Sequence, residues 1–364
     1  MTAFPRVISA DSHVTEHPDT YRLHIERRYR DQAPHVARAD HGGDVYVIPG
    51  MEKSAVPIGL IAAAGRRPED ISMHGRFEDW YPGGYEPGPR LADQDRDGVA
   101  GEILYPTVGM VLCNHPDLAY KRACMQAYNR WMAEYCAAHP DRLFGIGQTA
   151  LRSPAEGVAD LREIKALGLR GVMLPGVPGE KDYDDPMWDP FWEVAIALEL
   201  PLSFHILTTP GEFTRARGPA LNYAVAIIRA NQDIIGMLIF GGVFERHPKL
   251  RIVCVEADAG WAPHWMYRMD HYYTRHHHLR TKGLQRLPSE QFREHVYLTF
   301  QDDWSAFATA ELQNPERLMW ANDFPHSDSC WPRSQEIIRE HTAGLPPAVR
   351  DRILRDNVAE LYKL

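Results

Sequence analysis

The stretch Val7-Ile8-Ser9-Ala10-Asp11-Ser12-His13 decides the fold. Its first four residues are apolar or small, which predicts a buried strand, and two metal-binding side chains follow. Alternate residues of an extended chain point the same way, so Asp11 and His13 can reach one ion together. Functional residues of a parallel barrel stand at the C-terminal ends of its strands. The residues that follow every other apolar run are therefore the candidates for a site.

Seven further apolar runs predict strands. Each is short and largely continuous, which is typical of strands in a parallel sheet that is covered on both faces. They are Glu102–Tyr105, Leu143–Ile146, Gly171–Leu174, Leu202–His205, Arg251–Val255, Val296–Phe300 and Arg317–Trp320.

Helical patterns lie between most of these runs. Ser153 followed by Pro154 is a strong helix start, because serine caps the helix and proline suits its first turn. Eight strand–helix units in 364 residues predict an α/β fold, a (β/α)8 TIM barrel, over an open doubly wound sheet. The predicted helices are Leu118–Ala138, Pro154–Leu167, Asp189–Leu198, Ala220–Ile235, Ala262–His276 and Ser305–Asn314.

One segment, from about residue 35 to 90, interrupts the alternation. It is rich in glycine, proline and charge, as in Pro82-Gly83-Gly84, and predicts an insertion after the first strand. Such insertions often form a lid or an oligomer contact. Repeats and low-complexity linkers are absent from the sequence, so residues 1–364 are predicted to form a single barrel domain.

Composition narrows the class of protein. A net charge of -9 argues against a nucleic-acid partner, which needs a basic face. Five cysteines without a Cys-x-x-Cys pair favour reduced thiols in a cytoplasmic protein. Neither a signal peptide nor an apolar run of roughly 18 residues is recognisable, so we expect no membrane partner.

Carboxylates and imidazoles follow several predicted strands. His205 ends the fifth strand, Glu256 follows the sixth, and Asp323 follows the last. These are natural ligands for a divalent ion, Zn2+ in first place and Mn2+ as the alternative. The predicted metal ligands are Asp11, His13, His205 and Asp323.

Other polar and aromatic residues have ordinary structural interpretations beside functional ones. Asp258 suits a helix cap, and Trp261 and Trp265 suit core packing. Arg268 is instead a candidate clamp for a substrate carboxylate. Trp304 is a candidate for the apolar wall of a substrate pocket.

Five motifs carry a resemblance to a known family. They spread from residue 7 to 326 and include Gly241–Leu250 with the sequence Gly-Gly-Val-Phe-Glu-Arg-His-Pro-Lys-Leu. The chain resembles the amidohydrolase superfamily, in the branch of the aminocarboxymuconate-semialdehyde, resorcylate and carboxyvanillate decarboxylases. The other motifs are Ile8–His13, Arg90–Asp93 with Gly98-Val99, Pro140–Leu143 and Trp320–His326.

The resemblance implies roles for matching positions. His205 matches the ligand on the fifth strand, and Asp323 matches an aspartate that touches the metal and handles protons. His326 then supports that aspartate. A small-molecule substrate and a homodimer are also implied by this likeness.

Two positions depart from the family pattern. Asp11 stands where relatives carry His or Glu, so it binds the ion from a shifted position or through water. Glu256 stands where the decarboxylases carry His. It could act as a base, an acid or an extra ligand, and it would repel a substrate carboxylate unless it is protonated or offset.

Two enzyme functions fit these features. One is a metal-dependent, non-oxidative decarboxylase of an aromatic or unsaturated carboxylic acid, with Asp323, Glu256 and His326 as catalytic residues. The alternative is a hydrolase of an amide, lactone or carbon–carbon bond that uses metal-activated water. A barrel that binds a ligand without catalysis is a third class, which the intact ligand set disfavours.

Overall fold

The computed structural model describes residues 6–40, 42–211, 217–219, 221–280 and 284–364. Eleven strands occur in these ranges, and eight of them form one parallel sheet. In chain order the strands are β1 (Val7–His13), β2 (His35–Arg38), β3 (Asp44–Val47), β4 (Val56–Pro57), β5 (Val99–Tyr105), β6 (Leu143–Gln148), β7 (Gly171–Leu174), β8 (Leu202–His205), β9 (Ile252–Val255), β10 (Val296–Phe300) and β11 (Leu318–Trp320).

The parallel sheet runs β1-β5-β6-β7-β8-β9-β10-β11. Its ends approach each other just beyond β11, where the Asp323 N–H donates to the Asp11 carbonyl at 3.1 Å. The His13 N–H donates to the Phe324 carbonyl at 2.7 Å. The eight strands therefore form a nearly closed barrel, and the predicted fold is confirmed.

Helices follow most barrel strands. Ser153 caps its helix as predicted, since its Oγ accepts from the Glu156 N–H at 3.4 Å. The α-helices of the described residues are Thr20–His24, Ile58–Ile61, Pro87–Asp97, Val108–Leu112, Leu118–Ala137, Pro154–Ala166, Asp189–Ala197, Asn222–Ala226, Arg229–Phe240, Val243–Arg246, Ala262–Arg280, Pro288–His295, Trp304–Ala308, Ser334–His341, Pro347–Asp351 and Asn357–Tyr362.

Two predicted helices and one predicted cap differ from the structure. The segment 220–235 divides into the helices Asn222–Ala226 and Arg229–Phe240, and residue 220 lies outside the described residues. The segment from Ser305 becomes the short helix Trp304–Ala308 and a separate 3-10 turn. The N–H groups of Ala259 and Gly260 are bound by the Asp303 carboxylate, so this residue holds the turn where Asp258 was expected to cap.

The chain between β1 and β5 carries a small antiparallel sheet of its own. β3 lies in the middle, paired with β2 and β4. The short helix Ile58–Ile61 follows directly after β4. This arrangement brings the segment 54–61 to the wall of the main cavity.

One helical stretch, Asn222–Phe240, is long and apolar enough to cross a membrane, with a mean hydropathy of 1.3. Buried residues make up 44% of it. A core helix of a barrel passes the same test of length and composition, so this stretch does not decide whether the protein meets a membrane.

Candidate metal centre and its cavity

The C-terminal ends of four barrel strands bring carboxylates and imidazoles to one point. Asp11 and His13 belong to the end of β1, and His205 is the last residue of β8. Glu256 follows β9, and Asp323 lies three residues after β11. The two imidazoles and the two aspartates are almost fully buried, so any charge among them needs a partner.

The candidate ligand atoms lie within a few ångströms of one another. The Nε2 atoms of His13 and His205 are 3.3 Å apart. Asp11 Oδ1 lies 3.4 Å from His13 Nε2 and 3.7 Å from His205 Nε2. Asp323 Oδ1 lies 3.5 Å from His13 Nε2. This spacing suits side chains that converge on one ion.

The hydrogen bonds of the two imidazoles turn their lone pairs toward the centre. His13 Nδ1 lies 3.1 Å from the Pro106 carbonyl, and His205 Nδ1 lies 3.0 Å from the Ile206 carbonyl. A carbonyl only accepts, so each Nδ1 carries the proton and each Nε2 presents a lone pair. Backbone carbonyls often orient metal-binding histidines in this way.

Several buried oxygens at the centre have no hydrogen-bond partner. They are both carboxylate oxygens of Asp11, both of Asp323, and Oε2 of Glu256. Buried polar atoms are nearly always paired, so a group of orphaned oxygens facing two imidazole lone pairs needs a cation. The residues present therefore fit a divalent metal ion.

Electrostatics at the centre shift four pKa values. Burial would lower the pKa of His13, but its contacts with the Asp11 and Glu256 carboxylates raise it well above its ordinary value. Burial would raise the pKa of Asp11, but His13 and His205 offset this and hold it well below its usual range. Burial and the Glu256 carboxylate raise the pKa of Asp323 well above its ordinary value. Burial and the neighbouring histidines lower the pKa of His326. The shifts at Asp323 and His326 both act in favour of the uncharged form of each side chain.

His326 forms a defined contact with Asp323. The Thr107 hydroxyl donates to the Val14 carbonyl at 2.7 Å, so its oxygen accepts from His326 Nε2 at 2.9 Å. His326 Nδ1 is then left facing Asp323 Oδ1 at 3.0 Å. A neutral ring with its proton on Nε2 presents a lone pair at Nδ1 to this carboxyl oxygen.

A cavity of about 640 Å³ opens beside this centre. Glu256, Asp323 and His326 form part of its polar floor, and the rest of its lining is mostly apolar. The segment between β1 and β5 supplies much of that apolar wall. The lining residues are Ser54, Ala55, Val56, Pro57, Leu60, Ile61, Met73, Thr107, Met110, Val111, Leu207, Tyr223, Glu256, Asp323, His326, Ser327 and Asp328.

The structure brings the four predicted ligands and the predicted catalytic residues Glu256 and His326 together. It does not bring Arg268 or Trp304 to them. Arg268 is exposed on the long helix Ala262–Arg280, and Trp304 is 66% exposed. Neither residue lines the cavity, so the described site does not support their predicted role in substrate binding.

Two residues that contact the candidate site were not predicted from the sequence. Thr107 lies two residues after β5, and the rule of examining strand ends would have found it. Arg90 is fully buried and donates to the His13 carbonyl at 2.7 Å. Arg90 lies in one of the motifs that resemble the amidohydrolase superfamily. The sequence pattern around it, however, does not predict that its charged side chain is buried.

The chain is similar to a curated relative in sequence and to two solved structures in fold. A gamma-resorcylate decarboxylase from Rhizobium sp. (strain MTP-10005) is 26% identical over 309 residues, covering 76% of this chain and 86% of that protein. An amidohydrolase from Mycobacterium avium subsp. paratuberculosis K-10 has a TM-score of 0.81 at 20% identity, covering 99% and 100%. A 5-carboxyvanillate decarboxylase from Sphingomonas paucimobilis has a TM-score of 0.70 at 23% identity, covering 99% of each chain.

The family assignment rests on more than the shared fold. The sequence profile of the amidohydrolases matches residues 26–364, which is nearly the whole chain. This match includes His205, Glu256 and Asp323 at the candidate centre. The chain belongs to the amidohydrolase family.

Proposed function

We propose that this protein is a metal-dependent, non-oxidative decarboxylase of an aromatic or unsaturated carboxylic acid. The observation that carries this proposal is the 3.0 Å contact between His326 Nδ1 and the buried carboxyl group of Asp323, beside a buried ligand cluster. Decarboxylation must replace a carboxylate with a proton at one carbon. A buried carboxyl group beside an imidazole, lining a largely apolar cavity, suits that task.

The residues of the centre have different roles in the proposed reaction. When bound by Asp11, His13, His205 and Asp323, the ion would orient the substrate's oxygens and stabilise negative charge on them. Asp323 would deliver its proton to the ring or vinyl carbon that carries the carboxylate. The bond from that carbon to the carboxylate then breaks, its electron pair restores the unsaturated system of the product, and carbon dioxide leaves. His326 holds Asp323 in place through the 3.0 Å contact.

The cavity indicates the kind of substrate. Side chains such as Leu60, Ile61 and Val111 offer apolar contacts for an aromatic ring. Relatives named for resorcylate and carboxyvanillate supply the first compounds to test. Organic cofactors are not needed for this chemistry.

The test uses 2,6-dihydroxybenzoate and 5-carboxyvanillate with metal-loaded protein in D2O. We expect carbon dioxide release and one deuterium at the carbon that lost the carboxylate. Asp323→Asn should lower kcat by about 10²–10⁴-fold, since it removes the proton donor. Failure of both acids and of related aromatic acids, in protein that carries stoichiometric metal, would overturn the proposal.

The hydrolase alternative predicts a different product. Lactones and amides incubated in H2 18O would yield an acid that contains the heavy oxygen. The relatives favour decarboxylation, because several of them carry that activity in their names. Heavy oxygen in a product, without release of carbon dioxide from any acid, would favour hydrolysis instead.

Two further proposals concern which metal ion binds and which oligomeric state the protein has. Carboxylates and imidazoles together suit both Zn2+ and Mn2+. A related dihydroxybenzoic acid decarboxylase from Polaromonas sp. JS666 binds manganese. We propose one divalent ion, Zn2+ or Mn2+, in a cytoplasmic homodimer. Elemental analysis of protein purified without chelator and analytical ultracentrifugation test these points.

A further inference from the structure

Glu256 has an unusual setting for an acidic residue. Its φ is 54°, a left-handed backbone that non-glycine residues seldom adopt. The backbone N–H donates to Thr299 Oγ1 on β10 at 3.0 Å, which holds this conformation. The side chain is only 15% exposed. A carboxylate that is mostly buried needs a compensating partner.

The carboxylate lies directly against the two imidazole lone pairs. Glu256 Oε2 is 3.3 Å from His205 Nε2 and 3.6 Å from His13 Nε2. Each Nδ1 is directed at a backbone carbonyl, so the neutral form of either ring presents a lone pair, and no hydrogen, at Nε2 to this oxygen. Glu256 Oε2 is accordingly a buried atom without a hydrogen-bond partner.

Glu256 matches Asp11 in its relation to the imidazoles. The oxygen of Asp11 lies 3.4 and 3.7 Å from the two Nε2 atoms, and that of Glu256 lies 3.6 and 3.3 Å from them. One ligand atom from each of Asp11, His13, His205 and Glu256 lies within 4.8 Å of all the others. Geometry that makes Asp11 a ligand therefore applies equally to Glu256.

We propose that Glu256 is itself a direct ligand of the divalent ion, through Oε2, between the two imidazoles. This inference rests on the metal site of the proposed function. It assigns Glu256 to metal binding, whereas proton transfer belongs to the pair of Asp323 and His326. A further carboxylate also makes the ligand set richer in oxygen, which favours harder ions such as Mn2+.

The experiment measures metal binding in the absence of substrate. Wild-type protein, Glu256→Gln and Asp328→Asn are stripped with chelator and titrated with Mn2+ by calorimetry, with free Mn2+ followed by electron paramagnetic resonance. Asp328 is the matched control, because it is another acidic residue of the same cavity outside the ligand cluster. We expect at least about a tenfold loss of affinity for Glu256→Gln and none for Asp328→Asn.

Equal affinity of Glu256→Gln and wild type would overturn the proposal, as would equal losses in both variants. Circular dichroism of the stripped proteins checks that each variant folds. If Glu256→Gln does not fold, the wild-type structure with Mn2+ decides: a Glu256 oxygen in the coordination shell of the ion supports the proposal, and one outside that shell overturns it. A wild type that binds Mn2+ but releases no carbon dioxide would contradict the proposed function alone.

Discussion

Thr107 shows how a single hydroxyl can set the chemistry of the site. It donates to Val14 and accepts from His326, and this fixes which nitrogen of that ring faces Asp323. We expect Thr107→Val to lower kcat by roughly tenfold, which is less than the loss of about 10²–10⁴-fold attributed to an acid–base group itself, because valine removes only the support of His326. The shape of the side chain is retained, so KM should change little. Steady-state kinetics and a pH–rate profile measure both effects.

Thr107→Ser is the matched control for that change. Serine keeps the hydroxyl and loses only a methyl group, so it should retain most of the wild-type kcat. If valine and serine reduce kcat equally, the effect comes from packing against the cavity, and the hydrogen bond to His326 has no special role.

At the scale of elements, a buried ion pair fixes β1 against β5. Arg90 Nε donates to Glu102 Oε2 at 2.6 Å, and Arg90 Nη1 donates to the His13 carbonyl. Arg90 also lies 4.7 Å from the centroid of the Phe324 ring, next to Asp323. Arg90 therefore contacts the backbone of one candidate ligand, His13, and the residue next to another, Asp323.

Arg90→Leu should destabilise the fold by about 3–5 kcal/mol, because Glu102 would remain buried without a cation. Chemical denaturation followed by fluorescence measures this free energy of unfolding. Arg67→Ala is the control, since Arg67 forms an ion pair with Asp70 at an exposed position. If both variants lose a comparable free energy of unfolding, the burial of the Arg90–Glu102 pair does not explain its effect on stability.

His295 gives one helix end a dependence on pH. Its ring stacks on Phe244 at 4.5 Å, and its Nδ1 lies 3.0 Å from the Leu250 carbonyl. Burial, with a smaller effect from Arg251, lowers its pKa below the ordinary value of 6.5. The unfolded chain therefore binds a proton on His295 more readily than the folded chain does.

The free energy of unfolding should consequently fall as the pH drops below about 6.5. The loss that His295 causes should be complete once the pH is below the pKa of His295 in the folded protein. Thermal unfolding between pH 7.5 and 5.0 measures it. His295→Gln cannot take up the proton, so its melting temperature should fall less over that range. Parallel curves for the two proteins would exclude His295 as the source.

At the scale of the whole molecule, the sequence predicted the barrel because its signal is local. Each strand is a short apolar run, and each ligand stands where such a run ends. Contacts between segments that are distant in the sequence could not be predicted from such local patterns. The partnership of Thr107 with His326 joins residues 219 positions apart, and whether Arg268 faces the cavity depends on how its helix packs. The first was missed, and the second was predicted without support from the structure.

Metal binding should stabilise the whole barrel, since the ligands come from strands on opposite sides of it. Without a cation, the carboxylates of Asp11, Glu256 and Asp323 are crowded together. An ion at 100 times its Kd should add about 2.7 kcal/mol to the free energy of unfolding. Differential scanning fluorimetry with Mn2+ and with chelator should show a higher Tm in the metal-loaded protein.

His205→Asn is the variant that separates specific from general effects of the ion. This variant removes one imidazole from the centre. His205 ends β8, which lies far along the sheet from β1 and β11, the strands next to the other ligands. The rise in Tm with Mn2+ should therefore shrink or vanish in this variant. If His205→Asn gains as much as wild type, the ion stabilises the protein at some other place, and the barrel is not held together through the predicted ligands.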